Sequence, residues 1–144
     1  MRRAIRLLAA SDKTRAELRE RLTRAGLDAT SVDTALDTLA AKRLLSDERV
    51  ARNIAADQGV SRALNRHRLE QRGLDASAAE CGPRDARRAL AAARAIAARL
   101  PASLPPQARW RRLLASLARR GFDEEQATLG AESVLGPRRP PSDD

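Results

Sequence analysis

Aromatic side chains are almost missing from this chain, which has one Trp, one Phe and no Tyr in 144 residues. A sheet-rich fold is disfavoured, because β-branched and aromatic residues are what a pleated, half-buried surface packs well. Leu, Ala, Val and Ile must fill the interior, which suits thin layers of packed helices. Cysteine occurs once, at Cys81, which excludes a disulfide framework and a thiolate metal site. Cys81 reads as a small buried filler. The single histidine, His67, lies between arginines with no orienting carboxylate or nucleophile beside it, so it reads as a surface residue and not a general base. No glycine loop of the phosphate-cradling kind is present. Neither an enzyme nor a cofactor nor a metal is expected. No run of apolar residues is long enough to span a membrane. The stretch Met1 to Ala10 has a faint signal-peptide character, but Arg6 interrupts it and Asp12 and Lys13 follow too soon. The reading is a cytoplasmic monomer.

Lysine is also scarce. All but two of the 28 cationic side chains are arginine, against 19 acidic ones, for a net charge of +9. A GC-rich genome favours arginine codons, but the planar fork of arginine also suits phosphates and carboxylates. The charge is uneven. Residues 1–60 carry 12 basic and 9 acidic side chains, residues 61–122 carry 14 and 4, and residues 123–144 carry 2 and 6.

Against these absences stands a signature that occurs three times. Leu22-x-x-x-Gly26-Leu27-Asp28 returns as Leu69-x-x-x-Gly73-Leu74-Asp75 and as Leu117-x-x-x-Gly121-Phe122-Asp123, at spacings of 47 and 48 residues. A fixed period of that size marks an array of supersecondary units. Each part of the signature has a mechanical reason. Glycine tolerates the left-handed conformation that ends a helix, and the aspartate stands where the next helix needs an N-cap. Asp28, Asp75 and Asp123 are therefore read as caps and not as catalytic or metal-binding carboxylates.

Helical periodicity fills in the rest. A first helix is expected over Arg3 to Ala10, then a second opened by the capping box Thr14-x-x-Glu17, with Leu18, Leu22 and Ala25 inward. A third carries Val32, Leu36 and Leu39. A fourth starts at Ser46, with Val50, Ile54 and Ala55 inward. A fifth runs from Ser61 to Arg72. A sixth starts at Asp75 and is cut short by Gly82-Pro83. The seventh, Asp85 to Leu100, shows a stripe of Ala86, Leu90, Ala93, Ala97 and Leu100. The eighth carries Trp110, Leu113, Leu114 and Leu117, and the ninth opens at Asp123 with Gln126 in a second capping-box pattern. The expected architecture is all-α, with three tandem three-helix repeats joined by helix–turn–helix joints. Their bounds are 3–45, 46–83 and 84–135, followed by a disordered tail over 136–144.

Arginines crowd two of these helices. Arg62, Arg66, Arg68 and Arg72 share the fifth, and Arg109, Arg111, Arg112, Arg119 and Arg120 share the eighth. Few acids flank them in sequence, so these nine residues are the candidate basic face for a nucleic acid or nucleoprotein filament. No recognition-helix pattern for reading bases is visible. Trp110 is read as core packing.

The stretch Thr14-Arg15-Ala16-Glu17-Leu18-Arg19-Glu20-Arg21-Leu22, followed by Gly26-Leu27-Asp28, resembles the opening of the RecX regulatory proteins. Leu44 to Ala51 is similar to that family's link into its second repeat, and Leu113 to Asp123 to its third-repeat joint. The resemblance implies an elongated, curved array that binds the filament of the recombinase RecA on single-stranded DNA. It implies inhibition of filament growth, ATP hydrolysis and strand exchange, and so a role in recombination, DNA repair and the SOS response. A general nucleic-acid-binding helical protein, acting through residues 61–122, is the alternative. The chain departs from the family pattern at three places, all in the middle repeat. The fourth helix lacks aromatic residues, Asn65 stands where Leu18 and Leu113 stand in the other units, and Gly82-Pro83 interrupts the third helix.

Overall fold

A computed structural model of the chain describes residues 1–138. Eight α-helices and one 3-10 turn follow in order: α1 (Arg2–Ala10), α2 (Arg15–Arg24), α3 (Ala29–Ala41), α4 (Asp47–Ala55), α5 (Arg62–Gln71), the 3-10 turn (Ala76–Glu80), α6 (Asp85–Arg99), α7 (Pro106–Arg119) and α8 (Glu124–Leu135). No strand occurs among the described residues. Helices pack densely within the groups α1–α3, α4–α5 with the 3-10 turn, and α6–α8, and only thinly between them. Most of the expected tail, residues 139–144, lies outside the described residues.

The repeated signature forms the same turn three times. In the first, the Gly26 amide donates to Thr23 O and the Leu27 amide to Leu22 O. Gly73 and Leu74 repeat this with Glu70 O and Leu69 O, and Gly121 and Phe122 with Ala118 O and Leu117 O. This is the Schellman arrangement, in which the helix's last carbonyls are satisfied by a left-handed residue and the one after it. The three glycines have φ of 85°, 68° and 85°, which L-residues with a Cβ adopt at a cost. The leucine that opens each signature is buried: Leu22, Leu69 and Leu117 are at most 2% exposed. Asp28 then accepts from Ser31 N, Asp75 from Ser77 N and Asp123 from Gln126 N. These amide bonds hold the Asp28 and Asp75 carboxyls below the usual aspartate range. The residue after the glycine varies: Phe122 is buried, whereas Leu27 is 42% exposed.

Three cores result, of unequal size. The first gathers Ala4, Leu18, Leu22, Val32, Leu36, Leu39 and Leu45. The third gathers ten buried side chains around Trp110, Leu113, Leu117 and Phe122. The middle core holds only Ala51, Leu69 and Ala79. Its third helix is a five-residue 3-10 turn, because Pro83 cannot continue a helix and constrains the residue before it. Asn65 is fully buried at the position leucine holds elsewhere, and its Nδ2 donates to Asp57 O at 2.9 Å.

Two expectations are corrected. The inward stripe of α6 is Ala89, Ala92, Ala93 and Ala97, with Arg88, while Ala86 is exposed. The stripe is set by close approach to α8: a Cβ added at Gly130 would lie 3.1 Å from Ala89 O. Only the smallest side chains fit that contact, so Leu90 stays half-buried at its edge. Cys81 is exposed. It lies beyond the 3-10 turn, where its carbonyl and not its thiol is used, accepting from Arg88 Nη2 at 3.2 Å.

Candidate nucleic-acid interface

Folding brings acids from distant parts of the chain onto the arginines of α5. Arg62 and Arg66 both pair with Glu80, and Arg62 also donates to Gly82 O. Arg68 Nη1 lies 2.8 Å from Asp57 Oδ2. Arg72 reaches back to the first unit, where its Nε and Nη2 each lie 2.8 Å from a Glu17 carboxylate oxygen. Its Nη2 also donates to Asp12 O. The expectation that few acids neutralise this cluster held only along the sequence. Glu80, Asp57 and Glu17 arrive through the tertiary fold.

Helix α7 is different. Arg111 and Arg112 are exposed, Arg109 is half-buried, and none of the three pairs with an acid among the described residues. Arg119 is exposed and bonds only Ser116 Oγ, at 3.1 Å. Arg120 is turned inward to the preceding unit, where its Nη1 donates to Gly59 O at 3.0 Å. His67 is exposed, and Trp110 is 7% exposed within the third core.

Arg72 and Arg120 occupy equivalent positions, each immediately before its signature glycine. The first unit has Ala25 there. Both arginines reach back to the entrance of the preceding unit's second helix. Arg72 contacts Glu17 at the first turn of α2, and Arg120 contacts Gly59 just ahead of α5. A second device repeats beside them. The first amide of α2, Arg15 N, donates to Asp47 Oδ1 of the next unit at 2.7 Å. The first amide of α5, Arg62 N, donates to Asp85 Oδ1 at 2.8 Å. An aspartate at the start of one unit thus satisfies a free amide at a helix start in the one before it.

The second junction holds the largest fully buried side chain among the described residues. Arg88 is 1% exposed and donates to four carbonyls: Pro83 O, Asp57 O, Val60 O and Cys81 O, at 2.8–3.3 Å. No carboxylate faces it among the described residues. A buried guanidinium is tolerable only with its donors satisfied, and here it replaces the apolar filling that the middle unit lacks. The stripe expected from periodicity did not include Arg88. Its offset of four from Ala92, on the inward stripe, was the available signal.

Burying the Ala89, Ala92, Ala93 and Ala97 side of α6 turns Arg87, Ala91, Arg94 and Ala98 to solvent, and all four are exposed. Arg87 and Arg94 are seven residues apart, about 10 Å along the axis. Neither pairs with an acid among the described residues. Arg84 at the N-cap and Arg99 in the last turn are exposed as well. On α7, Ala108, Arg112, Ala115 and Arg119 repeat the spacing. Among the arginines of α5, α6 and α7, those of α5 are thus counter-charged and the exposed ones of α6 and α7 are not. The sequence reading missed α6 because its arginines are spread among alanines and do not cluster.

Among the described residues no three His, Cys, Asp or Glu side chains are grouped to hold a metal. No helix there is long and apolar enough to cross a membrane.

Residues 1–39 match the family defined as RecX, first three-helix domain. The whole fold is similar to the crystal structure of RecX from Lactobacillus salivarius, at a TM-score of 0.59 and 16% identity, covering 92% of each chain. No curated protein sequence matches the chain. The family match lies on α1–α3 and carries the capping box and the first joint, and the shared fold extends the likeness through α8. The chain is thus similar to RecX in its first three-helix domain by sequence and over most of its length by fold.

Proposed function

We propose that this protein binds the filament formed by the recombinase RecA on single-stranded DNA and restrains it, slowing filament growth, ATP hydrolysis and strand exchange. The match of residues 1–39 to the first RecX domain and the RecX-like fold support a regulator of RecA. The observation that carries the reading further is the uncompensated arginine stripe of α6, set on a helix whose other face is locked against α8. Such a stripe attracts phosphate without reading bases. The alanines between its arginines let the helix approach a backbone closely. The α7 arginines Arg111, Arg112 and Arg119 add to the same field. Arg62, Arg66 and Arg68 serve it less, because Glu80 and Asp57 offset two of their three charges. Arg72 and Arg120 hold the array together. Control would come from occupancy along the filament, with no chemistry on a substrate.

The test is RecA's single-stranded-DNA-dependent ATP hydrolysis with this protein titrated in, compared with a variant carrying Arg87→Glu and Arg94→Glu. Inhibition by the wild-type protein well below one molecule per recombinase protomer, weakened at least ~10-fold in the variant, is the expected result. No inhibition, together with tight binding to bare DNA, would replace this reading with that of a general nucleic-acid-binding protein. The α6 stripe also favours that second reading. It predicts a salt dependence of bare-DNA affinity whose slope falls by about 1.4 when two phosphate contacts are removed.

A further inference from the structure

A concavity of about 780 Å³ opens between the start of α7 and the end of α8. Its floor is apolar: Leu104, Trp110, Leu114 and Leu135. Its walls carry Arg109, Arg111 and Arg138, and no carboxylate lines it among the described residues. Arg109 Nε is buried with no acceptor among the described residues. The groove therefore pairs an apolar floor of a size that admits a few side chains with a one-signed rim. One rim guanidinium is already partly removed from water, where charge pairing is stronger.

We propose that this groove docks a short acidic peptide segment bearing leucine-like side chains, carried by a protein partner. The apolar side chains would lie on Leu104, Leu114 and Leu135, and flanking carboxylates would meet Arg109 and Arg111 in the forked geometry arginine offers. A nucleic acid fits less well. Binding of single strands draws on open aromatic faces, and Trp110 is 7% exposed, with its ring committed to the third core. The groove shares Arg111 with the α7 field but holds no residue of the α6 stripe, so the inference goes beyond the filament reading and does not depend on it.

Trp110 is the only tryptophan and forms part of the floor, so its fluorescence reports occupancy directly. The full chain is titrated with three synthetic octapeptides: two central leucines flanked by glutamates, the same peptide with serines for leucines, and the same peptide with lysines for glutamates. An oligothymidylate is the fourth probe. Expected is a saturable change in Trp110 emission with the leucine–glutamate peptide only, weakened at least tenfold by Arg111→Glu, an exposed residue whose replacement leaves the fold intact by circular dichroism. Silence with that peptide overturns the proposal, as does an equal response to the serine peptide or to oligothymidylate. No recombinase is present, so failure here leaves the ATPase test of the filament reading untouched.

Discussion

Replacing Arg72 by Met cuts the clamp between the first two units, and the structure gives the size of the effect. Glu17 serves two masters. Its carboxylate accepts the Thr14 amide at 2.9 Å, closing the capping box of α2, and also takes both prongs of Arg72. The Arg72 hydrogen bonds, assisted by the Thr14 amide and by the charges of Arg72 and Lys13, draw the Glu17 pKa from 4.5 down to about 2 against the opposing effect of burial. That displacement sets a ceiling of about 3 kcal/mol. The two side chains keep 28% and 31% of their surface, so solvent screening reduces the pair to about 1–2 kcal/mol. Urea unfolding of the wild type, Arg72→Met, Glu17→Gln and the double variant isolates the pair. Glutamine preserves the capping box, so the coupling excludes the cap. A coupling of about 1–2 kcal/mol is expected, and a value below ~0.4 kcal/mol, the scatter of independent sites, would refute the clamp. The pH dependence gives a second reading of the same pair. A depressed folded pKa contributes stability that is complete above pH 4.5 and is lost as pH falls through about 2. The stability gap between wild type and Glu17→Gln should therefore close over that window. A gap unchanged from pH 5 to pH 2 would show that the charge of Glu17 is not what holds the junction.

Two alanine substitutions separate backbone strain from crowding. Gly26→Ala and Gly121→Ala both place a Cβ at φ +85°, but the first meets nothing within 4 Å and the second comes 2.4 Å from Ser61 Oγ and 3.0 Å from Leu64 Cβ. By chemical unfolding, Gly26→Ala should cost about 1–2 kcal/mol and Gly121→Ala about 1–3 kcal/mol more. Equal costs would mean that the second and third units do not meet there. Asn65→Leu removes the Nδ2 donor to Asp57 O and an Oδ1 that has no partner among the described residues. Arg88 Nη1 still serves Asp57 O, so the change should stay within about 1.5 kcal/mol of wild type. A loss above ~3 kcal/mol would show the amide to be essential to the middle unit.

The joints were legible because each is a local device. Leu22, Gly26 and Asp28 carry a helix end, a turn and a helix start within seven residues, and Thr14 with Glu17 carries a cap within four. No distant partner is needed to read them. The α6 stripe was displaced by one position because its facing helix contributes a glycine, Gly130, and contact with a glycine selects for smallness and not for hydrophobicity. The arginines were not legible as individuals. Arg66 and Arg112 look alike in sequence, yet one meets Glu80 and the other meets no acid among the described residues. That difference exists only in the tertiary fold. A weaker signal could have been found for the junction pair. The residue before the signature glycine reads Ala25, Arg72 and Arg120, and the two arginines are the ones that bond the unit before their own.

Helix α6 joins the two roles that arginine plays here. Arg87 points to solvent while its neighbour Arg88 enters the second junction. With three buried apolar side chains in its cluster, the middle unit cannot be stabilised by burial alone, since units of a repeat array depend on their neighbours. The bonds from Arg88 to the carbonyls of Asp57 and Val60 therefore fix where α6 sits relative to that unit, and with it the direction of the stripe. Arg88→Met keeps much of the volume but leaves the Pro83, Val60 and Cys81 carbonyls without their donor, while Asn65 Nδ2 still serves Asp57 O. It should cost about 3 kcal/mol, and RecA inhibition should fall in step with the folded fraction. Arg87→Glu with Arg94→Glu should do the reverse, leaving stability within ~0.5 kcal/mol of wild type, as exposed substitutions do, while inhibition is lost. If Arg88→Met were as stable as wild type, the guanidinium would not be the anchor of the junction. If the α6 reversal lost stability and inhibition together, its arginines would belong to the fold and not to the interface.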